Sequence, residues 1–188
     1  MSQTISEGVH WTTADLELLP DNDNRYEIID GELFVTRAPH WKHQKTIGRI
    51  YSVLDNWSLS TGLGEASINP GLIFTDADNV IPDVVWGSNE RLAMLLDNAG
   101  HLTAAPELIV EVLSPGFDNE RRDRDLKLRL YSSRGVQEYW IVNYHLQQIE
   151  VYRRQQGTLR LITTWLNNDE LTSPLLPGFS CAIAHLFI

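Results

Sequence analysis

The chain has almost no cysteine, since Cys181 is the only one among its 188 residues. A single cysteine excludes an internal disulfide and any zinc or iron–sulfur site built from several thiolates. Long hydrophobic runs are also missing, and none approaches the roughly 20 apolar residues that span a bilayer. The first residues contain neither a basic start nor an apolar stretch, so we expect no signal peptide. These absences predict a cytoplasmic protein with no membrane partner.

Positive charge is scarce as well, and the formal net charge is −10. This balance argues against a protein that coats DNA regardless of sequence, because neutralisation of phosphates dominates such binding. The charge is uneven: residues 15–32 carry seven acids against Arg25 alone, whereas residues 118–134 carry six bases against four acids. The second region could contact a polyanion, and an ordinary solvated helix face is the alternative.

The sequence predicts one domain over residues 1–188, because it contains no repeat or flexible linker and 43% of its residues are hydrophobic. Hydrophobic periodicity and turn residues predict a mixed α/β (α+β) sheet flanked by helices. The predicted elements are a short helix ending at Leu19, a hairpin turning at Asp30-Gly31, a helix over 41–60, strands over 66–74 and 80–86, a short helix over 90–96, a strand over 108–113, a helix over 118–133, paired strands over 138–143 and 149–153, and a strand over 159–165.

Three acidic residues, Glu27, Asp83 and Glu111, lie in the middle of apolar runs that are typical of buried strands. Aspartate and glutamate are almost never fully buried unless something offsets their charge. One such residue could belong to an ion pair. Three on adjoining strands could converge at one edge of the sheet and bind a divalent cation that prefers hard oxygen ligands, Mg²⁺ or Mn²⁺.

Lys127 is one of only three lysines and follows the predicted strand that carries Glu111. Helical spacing puts Asp123, Lys127 and Tyr131 in one stripe. If the neighbouring leucines face the sheet, Lys127 can extend its ammonium toward the strand end and orient a water or stabilise a phosphate. The alternative is an Asp123–Lys127 pair on a solvated helix face.

These residues also carry a resemblance to a known family. The motifs are, in order, Tyr26-Glu-Ile-Ile-Asp-Gly31, Pro39 with His43, Pro82-Asp-Val84, Ile109-Val-Glu-Val-Leu-Ser-Pro115, Asp123-x-x-x-Lys127, Tyr131, Gly135-Val-Gln-Glu-Tyr-Trp-Ile-Val142 and Leu176-Pro-Gly-Phe179. From about residue 12 to the C-terminus, the chain resembles the Uma-two family of restriction-endonuclease-like proteins, within the PD-(D/E)XK nuclease superfamily. The resemblance implies a restriction-endonuclease-like fold and metal-dependent phosphodiester hydrolysis.

The resemblance also implies roles for individual residues. Asp83 resembles the first metal-binding aspartate, and Glu111 resembles the acid of the second motif. The superfamily's lysine would stand two positions after Glu111, where this chain has Leu113. Lys127 resembles a lysine that has migrated to the following helix, and Glu27 resembles an N-terminal acid near the metal. The implied metal ligands also include the carbonyl of Val112.

Two further residues, His43 and Asp123, are candidates for the same site, although a lone histidine is more often structural. The first hypothesis is therefore a magnesium-dependent DNA endonuclease that acts as a homodimer, because two strands need two sites. The strand pair 138–153, with Tyr139 and Trp140 exposed, is the predicted dimer surface. The alternatives are a catalytically silent nuclease-fold module that binds nucleic acid or a protein, and a phosphodiesterase for a smaller substrate.

Overall fold

A six-stranded mixed sheet forms the centre of the computed structural model, which describes residues 9–20 and 22–187, without the side chains of residues 117 and 118. The strands follow the order β10-β9-β8-β7-β6-β3, with β7 and β8 parallel and every other pair antiparallel. Their bounds are β3 Gly64–Ile68, β6 Val84–Ser88, β7 Leu108–Val112, β8 Glu138–Asn143, β9 Gln148–Gln155 and β10 Thr158–Leu166. The predicted absence of a signal peptide concerns residues 1–8, which lie outside the described residues.

A second, four-stranded sheet has the order β2-β1-β5-β4. Its strands are β1 Arg25–Ile29, β2 Glu32–Thr36, β4 Leu72–Thr75 and β5 Asp78–Val80. The hairpin between β1 and β2 is confirmed. Asp30 and Gly31 both have positive φ, at 52° and 74°, which suits the tight turns that match strand twist.

Helices cover the two faces of the main sheet. The helices are α1 Thr13–Leu16, α2 Trp41–Thr61, α3 Asn89–Leu95, α4 Phe117–Arg121, α5 Leu128–Arg134 and α6 Ala184–Phe187, with a π-helical segment, Arg122–Lys127, joining α4 to α5. Helix α2 packs on the face that contains Val110 and Val112, and α5 packs on the opposite face with Ile109. Because side chains alternate along β7, Glu111 shares its face with Ile109 and points toward α5 and the π-helical segment.

The single strands predicted over 66–74 and 80–86 are wrong, because each is divided between the two sheets. The first breaks after β3 at Asn69-Pro70, and the second breaks after β5 at Pro82-Asp83. Proline has no N–H to donate to a ladder, so both prolines end pairing at these positions. At each of these two prolines the chain crosses from one sheet to the other, and Asp83 lies in the second of these crossings rather than inside a strand.

The other predicted elements are confirmed with small changes. The first helix ends at Leu16 rather than Leu19, and the helix predicted over 118–133 is interrupted by the π-helical segment. Periodicity missed the C-terminal strand pair, β11 Glu170–Thr172 and β12 Ser180–Ala182. No helix in the described part of the chain is long and apolar enough to cross a membrane.

The predicted exposure of Tyr139 and Trp140 is wrong, because both side chains are fully buried. Strand β8 lies between β7 and β9, and α2 and α5 cover its two faces. Tyr139 therefore enters one core and Trp140 the other, so neither can form the predicted dimer surface.

Candidate functional site

A cleft of about 390 Å³ opens where the two sheets meet. Its floor is formed by the crossing at Asp83 and by the end of β7, and its rim is formed by β1, the end of β2 and the start of α2. The lining residues are Asn22, Asp23, Asn24, Arg25, Thr36, Arg37, Pro39, His43, Asn69, Ile81, Asp83, Glu111, Val112, Ser114 and Arg122. Twelve of these fifteen residues have polar or charged side chains, which suits a charged ligand better than an apolar one.

Lys127 is the buried cation beneath the cleft. Its Nζ lies 2.8 Å from Glu27 Oε1 and 2.8 Å from Glu111 Oε1, and it lies 4.0 Å from Asp123 Oδ1. The side chain is fully buried, so the alternative of a solvated helix face is wrong. Burial alone would lower the pKa of Lys127, but Glu111, Glu27 and Asp123 outweigh it and raise the pKa above its usual value. Lys127 therefore stays charged.

Glu111 has two donors on one oxygen. Lys127 Nζ and the Tyr131 hydroxyl both donate to Oε1 at 2.8 Å, so the stripe that contains these two residues faces the sheet rather than the solvent. Burial raises the pKa of Glu111 from 4.5 to about 8; Lys127 opposes this rise, whereas Asp83 and other acids add to it. Near neutral pH this carboxyl thus holds a proton that a divalent cation would displace.

Glu27 reaches the same lysine from the small sheet. Its Oε1 also accepts a hydrogen bond from the Ile81 N–H at 2.8 Å, while its Oε2 is buried without a hydrogen-bond partner among the described residues. Burial would raise the pKa of Glu27, but Lys127 and Arg122 lower it below its usual value. Glu27 is therefore an ionised carboxylate with one unused oxygen.

Asp83 joins the two sheets. Its Oδ2 accepts a hydrogen bond from the Val112 N–H at 2.8 Å, and Arg25 donates to its Oδ1 at 3.0 Å. Arg25 also donates to Asn69 Oδ1 at 2.7 Å, so one guanidinium ties β1 to both chain crossings. The carboxyl group of Asp83 is thereby fixed at the floor of the cleft beside the end of β7.

His43 comes from the first turn of α2 and reaches the same floor. Its Nε2 lies 2.7 Å from the Val112 carbonyl oxygen and 3.5 Å from Asp83 Oδ2. The other ring nitrogen, Nδ1, is buried without a partner among the described residues. His43 thus contacts the carbonyl for which the resemblance implied a role, and it is buried rather than exposed.

Every residue predicted for the site lies in or beside this cleft: Glu27, His43, Asp83, Glu111, Val112, Asp123 and Lys127. The sequence interpretation missed Arg25 and Arg122, which supply further positive charge at the site; Arg122 is buried and Arg25 is partly buried. Arg122 donates to Asp123 Oδ1 at 3.2 Å and lies 3.9 Å from Glu27 Oε2. Arg25 shares a strand face with Glu27, and that alternation was the one available signal for its position.

The three acids do not meet at a single point. Within residues 9–20 and 22–187, no three His, Cys, Asp or Glu side chains form a metal-binding group. Lys127 lies between Glu27 and Glu111, and Arg25 is paired with Asp83. The expected convergence of three carboxylates is thus replaced by acidic and basic side chains in alternation.

The donor atoms at the cleft still fit a hard divalent cation. Asp83, Glu111 and Val112 all line the cleft, and they offer two carboxylates and a carbonyl, the oxygen types that such ions prefer. Glu111 uses only Oε1 for its hydrogen bonds, and its other oxygen accepts none from the described residues.

Comparisons with known proteins agree with this architecture. A search of curated proteins found no match. A putative nuclease belonging to DUF820 from Anabaena variabilis has the same fold in its crystal structure, with a TM-score of 0.75, 21% identity and coverage of 94% of this chain and 97% of that one. The model of the Uma2 family, described as "Putative restriction endonuclease", matches residues 13–184. The chain therefore belongs to the Uma2 family.

Proposed function

We propose that this protein is a divalent-metal-dependent DNA endonuclease whose active site is the cleft around Asp83. One observation carries the proposal: acids from β1, the β5–β6 crossing and β7 are gathered with one buried lysine at the floor of a polar cleft. Burying several charges is costly, and folding alone does not require it. The family description and the nuclease-like fold support the same activity.

In this proposal Asp83, Glu111 and the Val112 carbonyl hold Mg²⁺ or Mn²⁺. Such an ion would activate a water and neutralise charge on the phosphate. The Lys127 ammonium donates a hydrogen bond to the attacking water or to the phosphate oxygens, as positioned donors do in other active sites. Glu27 holds Lys127 in position, and its unused oxygen is available to the metal's surroundings. Asp123 adds negative charge beside Lys127, and His43 positions the Val112 carbonyl.

Metal binding should depend on Asp83 and Glu111. Isothermal titration with Mn²⁺ is expected to show binding by the native protein and none by Asp83→Ala or Glu111→Ala. Asp78→Ala is the matched control, because Asp78 is also buried and ion-paired but lies outside the cleft. If either cleft variant binds Mn²⁺ as tightly as the control, this assignment of ligands is wrong.

Cleavage should depend on Lys127. Lys127→Ala is expected to keep Mn²⁺ binding and to nick plasmid DNA more slowly by about 10²–10³-fold, the loss typical of one electrostatic group. Circular dichroism would verify that the variant is folded. Nicking at the native rate would remove Lys127 from the mechanism. Hydrolysis of a small phosphodiester without nicking of DNA would instead favour a smaller substrate.

A second candidate function is a catalytically silent module that binds nucleic acid or a protein partner. The specific observation in its favour is that Lys127 and Arg25 already neutralise the acids, so the folded chain does not require a metal to offset their charge. A native protein that binds DNA but never nicks it with any divalent metal would support this function.

The predicted homodimer also remains a proposal, because cutting both strands of a duplex needs two sites. Sedimentation velocity with and without a duplex would test it. A protein that stays monomeric in both conditions and still cuts both strands would contradict it.

A further inference from the structure

The stretch from Leu33 to Leu54 contains no acidic residue in a chain whose net charge is −10. It contains four bases, Arg37, Lys42, Lys45 and Arg49, and two of them are lysines in a chain that has only three. Within the described residues, none of the four takes part in an ion pair. This stretch, which covers the end of β2 and most of α2, therefore forms the basic face of an otherwise acidic protein.

The sequence left residues 118–134 open for contact with a polyanion, but four of the six bases there are paired with acids. Arg122 and Lys127 are buried among acids of the site. Arg124 is paired with Glu150 at 2.6 Å, and Arg134 is paired with Asp78 at 2.7 Å. The helical residues 117–134 thus offer much less unbalanced positive charge than their composition indicated.

A small pocket of about 170 Å³ adjoins the basic face. It lies between α2, the β8–β9 turn and α6, and is lined by Trp41, Lys42, Lys45, Thr46, Arg49, Tyr144, Gln147, Leu186 and Phe187. The Trp41 side chain is 77% exposed, which is unusual for an indole. The pocket thus combines aromatic rings with positive charge.

Tyr144 provides an independent sign that this pocket takes a ligand. Its hydroxyl is buried but has no hydrogen-bond partner among the described residues. A buried hydroxyl usually finds a partner, because leaving it unsatisfied costs free energy. A ligand with hydrogen-bonding groups that entered the pocket would supply the missing partner.

The pocket and the cleft share one wall. His43 lines the cleft and makes an edge-to-face contact with Tyr144, with 6.4 Å between ring centroids. His40 stacks on the other side of Tyr144 at 6.2 Å. Arg37 and Pro39 line the cleft, and Trp41 and Lys42, which follow them directly in the chain, line the pocket. A strand that leaves the cleft over the start of α2 would therefore meet the basic face.

We infer that this pocket and the basic face bind an unpaired nucleotide of a DNA strand whose phosphodiester lies in the cleft. The inference rests on the proposed function and narrows its substrate to DNA with a single-stranded segment beside the reacting bond. An exposed indole can stack on a base only if that base has left the duplex. Lys42, Lys45 and Arg49 would contact the phosphates, and the Tyr144 hydroxyl would donate to the base edge.

Binding to labelled oligonucleotides by fluorescence anisotropy tests the inference, with EDTA present so that cleavage plays no part. The native protein is expected to bind a single strand more tightly than a blunt duplex of equal length. Trp41→Ala should weaken single-strand binding about tenfold, and Tyr144→Phe about fivefold. Replacing Lys42, Lys45 and Arg49 together by alanine should make the dependence of log K on log salt shallower by about 2.

The control is the double variant with Arg121→Ala and Arg129→Ala, because these exposed bases lie on the opposite side of the sheet. This variant should change neither the affinity for the strand nor its salt dependence. The inference is overturned if Trp41→Ala weakens binding no more than this control, if blunt duplex binds equally well, or if no strand binds. The same experiments separate this inference from the proposed function. If Trp41→Ala nicks DNA as fast as the native protein, only the inference is refuted. If the native protein binds a single strand but never nicks DNA with any metal, only the endonuclease function is refuted.

Discussion

Replacing Glu111 by glutamine should change how the stability of the metal-free protein depends on pH. Glu111 is fully buried, and its Oε1 accepts hydrogen bonds from Lys127 and Tyr131 at 2.8 Å. The glutamine amide has nearly the same shape and keeps an oxygen that can accept both bonds. Glu111→Gln therefore removes the titration of one carboxyl and little else.

The size of the effect follows from the raised pKa of Glu111, which burial moves from 4.5 to about 8. Because the folded protein holds this proton more tightly than the unfolded chain, the carboxyl stabilises the fold fully below about pH 4.5, and this contribution is lost as the pH rises through about 8. The free energy of unfolding should fall by at most about 1.4 kcal/mol per pH unit in that window. Between pH 6 and pH 8 the total is about 2 kcal/mol.

Urea unfolding of the native protein and Glu111→Gln at several pH values, with EDTA present, measures this difference directly. The free energy of unfolding of Glu111→Gln, relative to that of the native protein, should rise by about 2 kcal/mol from pH 6 to pH 8, because all other groups titrate in both proteins. Glu65→Gln, an exposed change on β3, is the control and should follow the native curve. If the free energies of unfolding of Glu111→Gln and the native protein depend on pH in the same way, Glu111 does not have a raised pKa in the folded protein.

Three further predictions concern stability and can be measured by urea unfolding. Lys127→Met should destabilise the protein by about 3–5 kcal/mol, because the ionised Glu27 would be buried without its cation; a loss below about 1 kcal/mol would contradict this. Trp140→Ala should lower the free energy of unfolding by about 3–5 kcal/mol, because the indole is fully buried; a negligible change would show that Trp140 is exposed. Gly135→Ala should cost about 1 kcal/mol, because Gly135 ends α5 with φ of 94°, whereas Gly48→Ala inside α2 should be neutral or stabilising.

Local patterns predicted much of the fold and several members of the candidate site. Turn chemistry predicted the β1–β2 hairpin, periodicity predicted α2 to within one residue at its C-terminal end, and the apolar run over 108–113 predicted the buried strand β7. Helical spacing put Lys127 and Tyr131 in one stripe, although it left open whether that stripe faces the sheet or the solvent. Each of these features depends on residues close together in the chain, so the sequence alone contains the information.

Only the tertiary structure decided which charges pair. Arg25 and Asp83 are 58 residues apart, and Lys127 joins Glu27 on β1 to Glu111 on β7. Glu27 and Glu111 lie in different sheets, and the Lys127 ammonium lies between them. The sequence by itself indicated that three acids would be buried, and it left two positions open for Lys127. Long-range packing of two sheets determined that acidic and basic side chains alternate there, because burying like charges together without a cation is far more costly.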